Sequence, residues 1–199
     1  MTPFAFLRIR SEQRSFRSAY ARLSARDFAI LAPASLWGAF FGLFGIGSNE
    51  MILVSHGERD ALDTSIEALS AAKGIEITDA LILDATVRPT RADPVTREGL
   101  YVLRFFDVEH RQVEEIVALS KAAWDRFEET DAYRAEPLAL FCQHDRTEET
   151  GRMLLVTWYD GLGSWQTSRR PAPQATELFR RRHALTLGTV AYATRLIPG

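Results

Sequence analysis

The sequence predicts an α+β protein made of two tandem ferredoxin-like modules. Three observations carry this expectation. The periodicities of the second half run β-α-β-β-α-β, the order of a split βαβ unit. The first half runs through the same order, and a polar, proline-bearing stretch separates the two. The length agrees, since 199 residues suit one large domain or two small ones.

In the first half, residues 4–9 (FAFLRI) read as a strand. Residues 11–30 read as a helix with Phe16, Tyr20 and Leu23 on one side. Residues 37–46 and 51–55 (MILVS) read as two paired strands around the turn at 45–50. Residues 59–73 carry Leu62, Ile66 and Leu69 at helical spacing, and Gly74 is placed to cap that helix. Residues 77–87 (ITDALILDATV) complete the module as a strand.

The second half repeats this. Residues 100–106 (LYVLRFF) read as a strand, and 111–129 as a helix with Val113, Ile116, Val117, Ser120, Ala123, Trp124 and Phe127 on one stripe. Residues 137–143 (PLALFCQ) and 153–159 (MLLVTWY) read as strands. Residues 172–183 read as a helix with Ala175, Leu178 and Phe179 on one side, and 189–197 as the last strand. Two local identities support a duplication: Leu7-Arg8 with Leu103-Arg104, and Met51–Val54 with Met153–Val156. The stretch with Pro89 and Pro94 is the junction. Taking 91–97 as the linker puts the modules at 1–90 and 98–199.

Composition narrows the class. The formal charge is −2, with 46% hydrophobic and 25% charged residues, the make-up of a globular chain rather than a disordered one. The basic excess of a dedicated nucleic-acid binder is missing, so no nucleic-acid partner is expected. One cysteine, Cys142, cannot build a disulfide framework or a cysteine zinc site. Residues 28–48 carry no charge, which meets the length criterion for a membrane span. The repeat, however, places this run on the second strand of the first module, and a buried strand is also continuously apolar. No membrane span is expected. The arginine- and serine-rich start resembles a mitochondrial transit segment. Lysine occurs only at Lys73 and Lys121, though, so arginine dominates the whole chain. The expected compartment is the cytoplasm, with the mitochondrial matrix as the alternative.

The run Gly42-Leu-Phe-Gly-Ile-Gly47-Ser-Asn49-Glu-Met-Ile-Leu resembles the NIPSNAP signature, in which a strand ends in an Ile-Gly turn followed by Asn and a hydrophobic strand. Met153-Leu-Leu-Val-Thr-Trp158-Tyr159-Asp160 is similar to that family's apolar strand ending in aromatic residues, and both Leu-Arg pairs fit as well. The chain departs from the pattern at Ser55-His56-Gly57, where an aromatic pair would fall, and at Glu148–Gly151, where an Ile-Gly-x-Asn turn would fall. The resemblance implies the dimeric α+β-barrel superfamily, with two ferredoxin-like sheets packed sheet to sheet and here supplied by one chain. It implies no particular reaction, since the family has no agreed activity.

No phosphate loop, dinucleotide fingerprint, zinc-protease or nucleophile-elbow motif is placed on suitable elements, and no cofactor is expected. The four histidines lack metal-ligand spacing, so no metal is expected. His56 and His144 fall at strand ends, where an imidazole can act as acid or base near neutrality, or can simply be solvated. Arg8 and Arg104 each interrupt an apolar strand. A guanidinium there is costly to bury without a partner. The pair can clamp a carboxylate or phosphate in a shared interior, or each can snorkel to water or meet an acid such as Glu98 or Asp107. Arg195 has the same two readings. Trp158, Tyr159 and Trp165 can wall an apolar pocket or pack as core. Arg169-Arg170 and Arg180–Arg182 can receive an anionic partner or form a solvated helix face. Cys142, between apolar neighbours, reads as a buried inert thiol.

These residues support binding of a small apolar or anionic ligand, or a protein interaction, without catalysis. The alternative is a cofactor-free monooxygenase or isomerase acting on an aromatic or polyketide-like molecule. A third reading, haem binding, requires a histidine directed into a cavity. A homo-oligomer is a further expectation, because ferredoxin-like sheets expose strand edges.

Overall fold

The first strand, β1 (Phe4–Ser11), shows how alternation sorts the first sheet. Leu7 and Ile9 turn to one face, Phe6 and Arg8 to the other. The computed structural model describes residues 2–170 and 173–197. The elements that follow β1 are α1 (Phe16–Ser24), β2 (Ser35–Phe44), β3 (Glu50–His56), α2 (Arg59–Ser70) and β4 (Ile75–Ala85). Then come β5 (Leu100–Glu109), α3 (Val113–Phe127), β6 (Ala135–Gln143), β7 (Thr150–Tyr159), α4 (Leu162–Thr167), α5 (Pro173–Ala184) and β8 (Thr186–Leu196). The fold class is α+β with two βαββαβ units, as the sequence predicts. The chain divides into one unit of Met1–Asp84, Arg91–Glu98 and Tyr192–Gly199 and another of Ala85–Thr90 and Gly99–Ala191.

In the first unit the strand order is β4-β1-β3-β2, all antiparallel. The end of β8 adds to the free edge of β2, pairing Phe41 with Arg195 and Gly42 with Thr194. One face of this sheet is covered by helices: Leu7, Ile9, Ala39, Met51 and Leu53 pack with Ala19 and Leu23 of α1 and Leu69 of α2. Residues 91–98 also belong here, with Val95 N–H donating to the Trp37 carbonyl at 2.7 Å.

The first helix is shorter than its periodicity predicts. Ser15 caps it by accepting from the Arg17 N–H at 3.2 Å. After Ser24 the chain turns through Asp27 and Phe28, both at positive φ, into a 3-10 turn at Ala29–Leu31. That turn lays Phe28 against Tyr20, with ring centroids 5.7 Å apart. The apolar stretch 28–48 thus becomes this turn, the strand β2 and the loop after it. No helix among the described residues is long and apolar enough to cross a membrane.

In the second unit the order is β8-β5-β7-β6, again antiparallel, and residues 86–88 extend it beside β6 through Thr86 N–H to Leu140 O and Leu140 N–H to Arg88 O, each 2.9 Å. The helix-covered face carries Phe106, Val108, Leu140, Cys142, Met153 and Leu155 beneath Val113, Ile116 and Trp124 of α3. The opposite face carries Tyr101, Leu103, Phe141, Leu154 and Val156, all buried. Cys142 is buried under α3. The expected start of the last helix at Ala172 lies outside the described residues, and α4 is a short helix that no periodicity announced.

One internal identity is out of register. Met51 pairs with Ile9, and Met153 pairs with Phe106, and both methionines lie on the helix-covered face of their unit. Counted from those pairs, Arg104 corresponds to Leu7, and Arg8 to Phe105. A shift of one residue moves a side chain to the other face of a sheet. Arg8 therefore faces away from the helices of its unit, and Arg104 faces towards the helices of its own. The match of letters between Leu7-Arg8 and Leu103-Arg104 is not a match of positions.

Candidate functional site: an arginine-lined cavity in the second unit

The helix-covered face of the second unit is filled at one end and open at the other. A cavity of about 320 Å³ lies over the Leu100 end of β5. Its floor is Val102, Arg104 and Phe106 of β5, Leu155, Thr157 and Tyr159 of β7, Pro137 of β6 and Thr189 of β8. The register explains the set: Val102 opposes Thr157 and Arg104 opposes Leu155, so these side chains stand on one face. The register of β6 shifts between Pro137 and Ala139, which keeps Pro137 and Leu140 on this face. The cover is Trp124 and Phe127 at the end of α3, Ser168 and Arg169 after α4, and Thr176, Phe179, Arg182 and His183 of α5.

Three guanidiniums meet this cavity, and among the described lining residues none is acidic. Arg182 lies between two rings, 5.0 Å from the centroids of both Phe106 and Phe179. It donates to the buried Ser120 hydroxyl at 3.3 Å, and Ser120 in turn donates to the Ile116 carbonyl at 2.7 Å. Arg169 stands over the Trp165 ring at 5.6 Å and donates to the Tyr159 and Ser168 hydroxyls, each at 3.3 Å. Arg104 donates no hydrogen bond and joins no ion pair with any described residue. All the partners of these cations are neutral.

The electrostatics follow. Burial, and then the charges of Arg104 and Arg169, push the Arg182 guanidinium down to about 10. Burial and the charge of Arg169 also lower Arg104. Both stay protonated at neutral pH, so the folded protein holds mutually repelling cations in a low-dielectric pocket. Behind the cavity, Tyr133 donates to the Phe127 carbonyl at 3.2 Å, and burial drives its phenol up to about 12.

The residues singled out from sequence scatter. Arg104 and Tyr159 line the cavity. Trp158 is buried but stands on the other face of β7, because adjacent strand residues point oppositely. Its indole lies against Gly99, which has φ +148°. Arg8 belongs to the first unit, where its fork meets Glu50 at 2.6 Å. Glu50 is 4% exposed and also accepts from Arg10 at 3.1 Å and from the Gly47 N–H at 2.9 Å. The glycine turn thus spends its N–H on a carboxylate of the protein. The Tyr192 ring lies 5.4 Å from the Arg8 guanidinium. His56 is half-buried beside Phe4, with ring centroids 5.7 Å apart, and burial lowers its pKa. His144 is exposed in the loop after β6, and Arg195 is exposed on β8. The one histidine lining the cavity among the described residues is His183, which sequence reasoning passed over.

The basic runs divide likewise. Arg180 and Arg181 are exposed, Arg180 bonded to Glu177 at 2.6 Å and Arg181 near Glu115 at 3.8 Å. Arg182 turns inward. The signal for it was present: Ala175, Phe179 and Arg182 recur at the spacing of the apolar side of α5. Arg169 follows a helix end, where no period applies.

No family model matches the chain, and no curated protein matches it. Solved structures share its fold. An anthrone oxidase-like protein aligns with a TM-score of 0.66 at 11% identity, over 99% of this chain and 92% of its own. An uncharacterized ferredoxin fold protein related to antibiotic biosynthesis monooxygenases, from Listeria monocytogenes, aligns at 0.55 and 8% identity, over 100% of this chain and 96% of its own. A heme-binding protein from Thermus thermophilus aligns at 0.61 and 11% identity, over 98% and 91%. At such identities the likeness is one of fold.

Proposed function

We propose that the cavity of the second unit binds a small aromatic anion. The observation that carries this reading is Arg104, a half-buried cation facing a partly open pocket with no hydrogen-bond partner among the described residues. Buried charges in native proteins are paired, and a site whose lining leaves such a charge unpaired is completed by a counter-ion. Trp124, Phe127 and Phe179 supply apolar walls for a ring, and Arg104, Arg169 and Arg182 supply donors for its acidic group. Isothermal titration of the protein with 2-naphthoate tests this. Binding that weakens about ten-fold or more in Arg104→Met is expected. Absence of binding, or equal binding by the variant, overturns it.

A second reading makes the same anion a substrate of a cofactor-free monooxygenase or isomerase. Tyr159 and His183 favour it, since both line the cavity and both can hold or pass a proton. Three guanidiniums would stabilise a phenolate or enolate, the reactive form of such a compound. The anthrone oxidase-like neighbour agrees with that chemistry at the level of fold alone. Oxygen uptake with anthrone, lost in Arg104→Met, supports this reading; no uptake above the uncatalysed rate removes it.

Haem is a poor fit. The histidine that lines the cavity is exposed, and about 320 Å³ lies at the low end for small-molecule sites. Kinship with NIPSNAP proteins, a tandem origin of the modules with the 91–97 junction, self-association and a cytoplasmic location belong to the same proposal. A supporting binding role for Tyr159 in the cavity belongs to it as well, whereas binding roles for Arg8, Trp158 and Arg195 and acid–base roles for His56 and His144 are proposals separate from this cavity.

A further inference from the structure

Resting on the aromatic-anion reading, we infer that Arg182 sets the specificity of this cavity, and that the acidic group it selects is a planar carboxylate held by its Nε and Nη2 donors.

The guanidinium is held in place before any ligand arrives. The Phe106 and Phe179 rings, each with its centroid 5.0 Å away, limit its tilt. The Ser120 hydroxyl accepts from Nη1 at 3.3 Å. Ser120 is fully buried on α3, and its own proton goes to the Ile116 carbonyl at 2.7 Å, which leaves its oxygen to receive the arginine. A donor fixed in this way loses little freedom on binding, so more of the interaction appears as affinity.

That one contact decides which edge stays open. Nη1 is bonded to Ser120, while Nε and Nη2 lie side by side on another edge of the planar group. Neither donates to a described residue, and the side chain lines the cavity. Two parallel N–H groups match the two oxygens of a carboxylate. A phenolate has a single oxygen and cannot meet both donors in parallel.

The other two cations lack this arrangement. Arg104 has no hydrogen bond to a described residue that would fix its plane. Arg169 is exposed and already gives Nη2, half of the same edge, to the Tyr159 and Ser168 hydroxyls at 3.3 Å each. Both add positive charge for any anion. Arg182 adds the choice between anions, and Ser120 is its positioning residue.

Calorimetry with 4-nitrobenzoate and 4-nitrophenolate, in a buffer where both are ionised, tests this. The two share a ring, a substituent and a charge, and differ in the oxygens they present. The wild type is expected to bind the carboxylate about ten-fold tighter. Arg182→Gln removes the fork, so the preference should fall to within about two-fold, whatever affinity the two anions keep. Ser120→Ala releases Nη1 and should lower the preference by about three-fold. A merely structural role for Ser120 would weaken both anions alike and leave their ratio unchanged. Arg181→Gln, on the exposed side of α5, should keep the full preference. Equal binding by the wild type, tighter binding of the phenolate, or a preference that survives either Arg182→Gln or Ser120→Ala overturns the inference and leaves the aromatic-anion site standing. Binding of neither anion overturns that site, and this inference with it.

Discussion

Replacing Arg104 by Met should make the ligand-free protein more stable. Met keeps a long unbranched chain on β5 opposite Leu155 and removes the guanidinium. The lowering of Arg182 to about 10 corresponds to roughly 3 kcal/mol of unfavourable charge in the folded state. Burial is the larger part of it and Arg104 comes next, so loss of Arg104 relieves about 0.5–1 kcal/mol. The desolvation of Arg104 itself is lifted as well, which brings the gain to about 1–2 kcal/mol. No hydrogen bond to a described residue is lost in exchange. For a chain of this size the melting temperature should rise by about 3–6 °C at pH 7. The pH dependence has a definite sign. A base whose folded pKa is depressed binds its proton more weakly folded than unfolded. The penalty is therefore complete at neutral pH and fades as pH rises through about 10, so the advantage of the variant should narrow there. Differential scanning calorimetry with and without saturating 2-naphthoate is the assay. Ligand should raise the wild type more than the variant, by about 1.4 kcal/mol for a ten-fold difference in affinity, which narrows or closes the gap between them. A variant that melts several degrees lower, or gains as much from ligand as the wild type, refutes the reasoning.

Glu50→Gln should cost about 3 kcal/mol in urea unfolding at neutral pH, because it leaves Arg8 without its carboxylate. The hydrogen bonds from Arg8, Gly47 and Arg10 and the charge of Arg8 hold the Glu50 carboxyl below the usual range against its burial. Its contribution is thus present above that range and lost as pH falls through the folded value, where wild type and variant should converge. Gly99→Ala should destabilise by about 2 kcal/mol or more, read by the same unfolding curve, since φ is +148° and a Cβ would strike the Trp158 indole and the Tyr159 carbonyl. Arg180→Gln and Arg181→Gln should keep ligand affinity within about two-fold and stability within about 0.5 kcal/mol, because both side chains are exposed on the outer side of α5.

Much of the fold was legible because strand and helix periods are set by which residues meet the sheet faces. The run 28–48 supplies the 3-10 turn and β2, as the repeat's need for a second strand there requires. Boundaries failed where local contacts overrode the period, as when Ser15 and the turn at Phe28 cut α1 to Phe16–Ser24. The candidate site was legible in part. Arg104 was conspicuous as a charge inside an apolar strand. Its comparison with Arg8 was misleading, because identical letters one register apart face opposite sides of a sheet. Trp158 and Tyr159 adjoin in the sequence, but neighbours on a strand cannot share a face. Arg182 was hidden in a run of three arginines whose other two members pair with glutamates. Arg169 and His183 reach the cavity only through the tertiary placement of α4 and α5.

The charge state and contacts of Arg104 are the heart of the account, and side-chain NMR of the arginine Nε–H groups reads them directly. The Arg104 signal, assigned by its loss in Arg104→Met, should move on titration with the aromatic acid and become protected from exchange with water. Those of Arg180 and Arg181 should stay in place. Movement confined to exposed arginines, with the Arg104 signal unchanged at saturation, would contradict it.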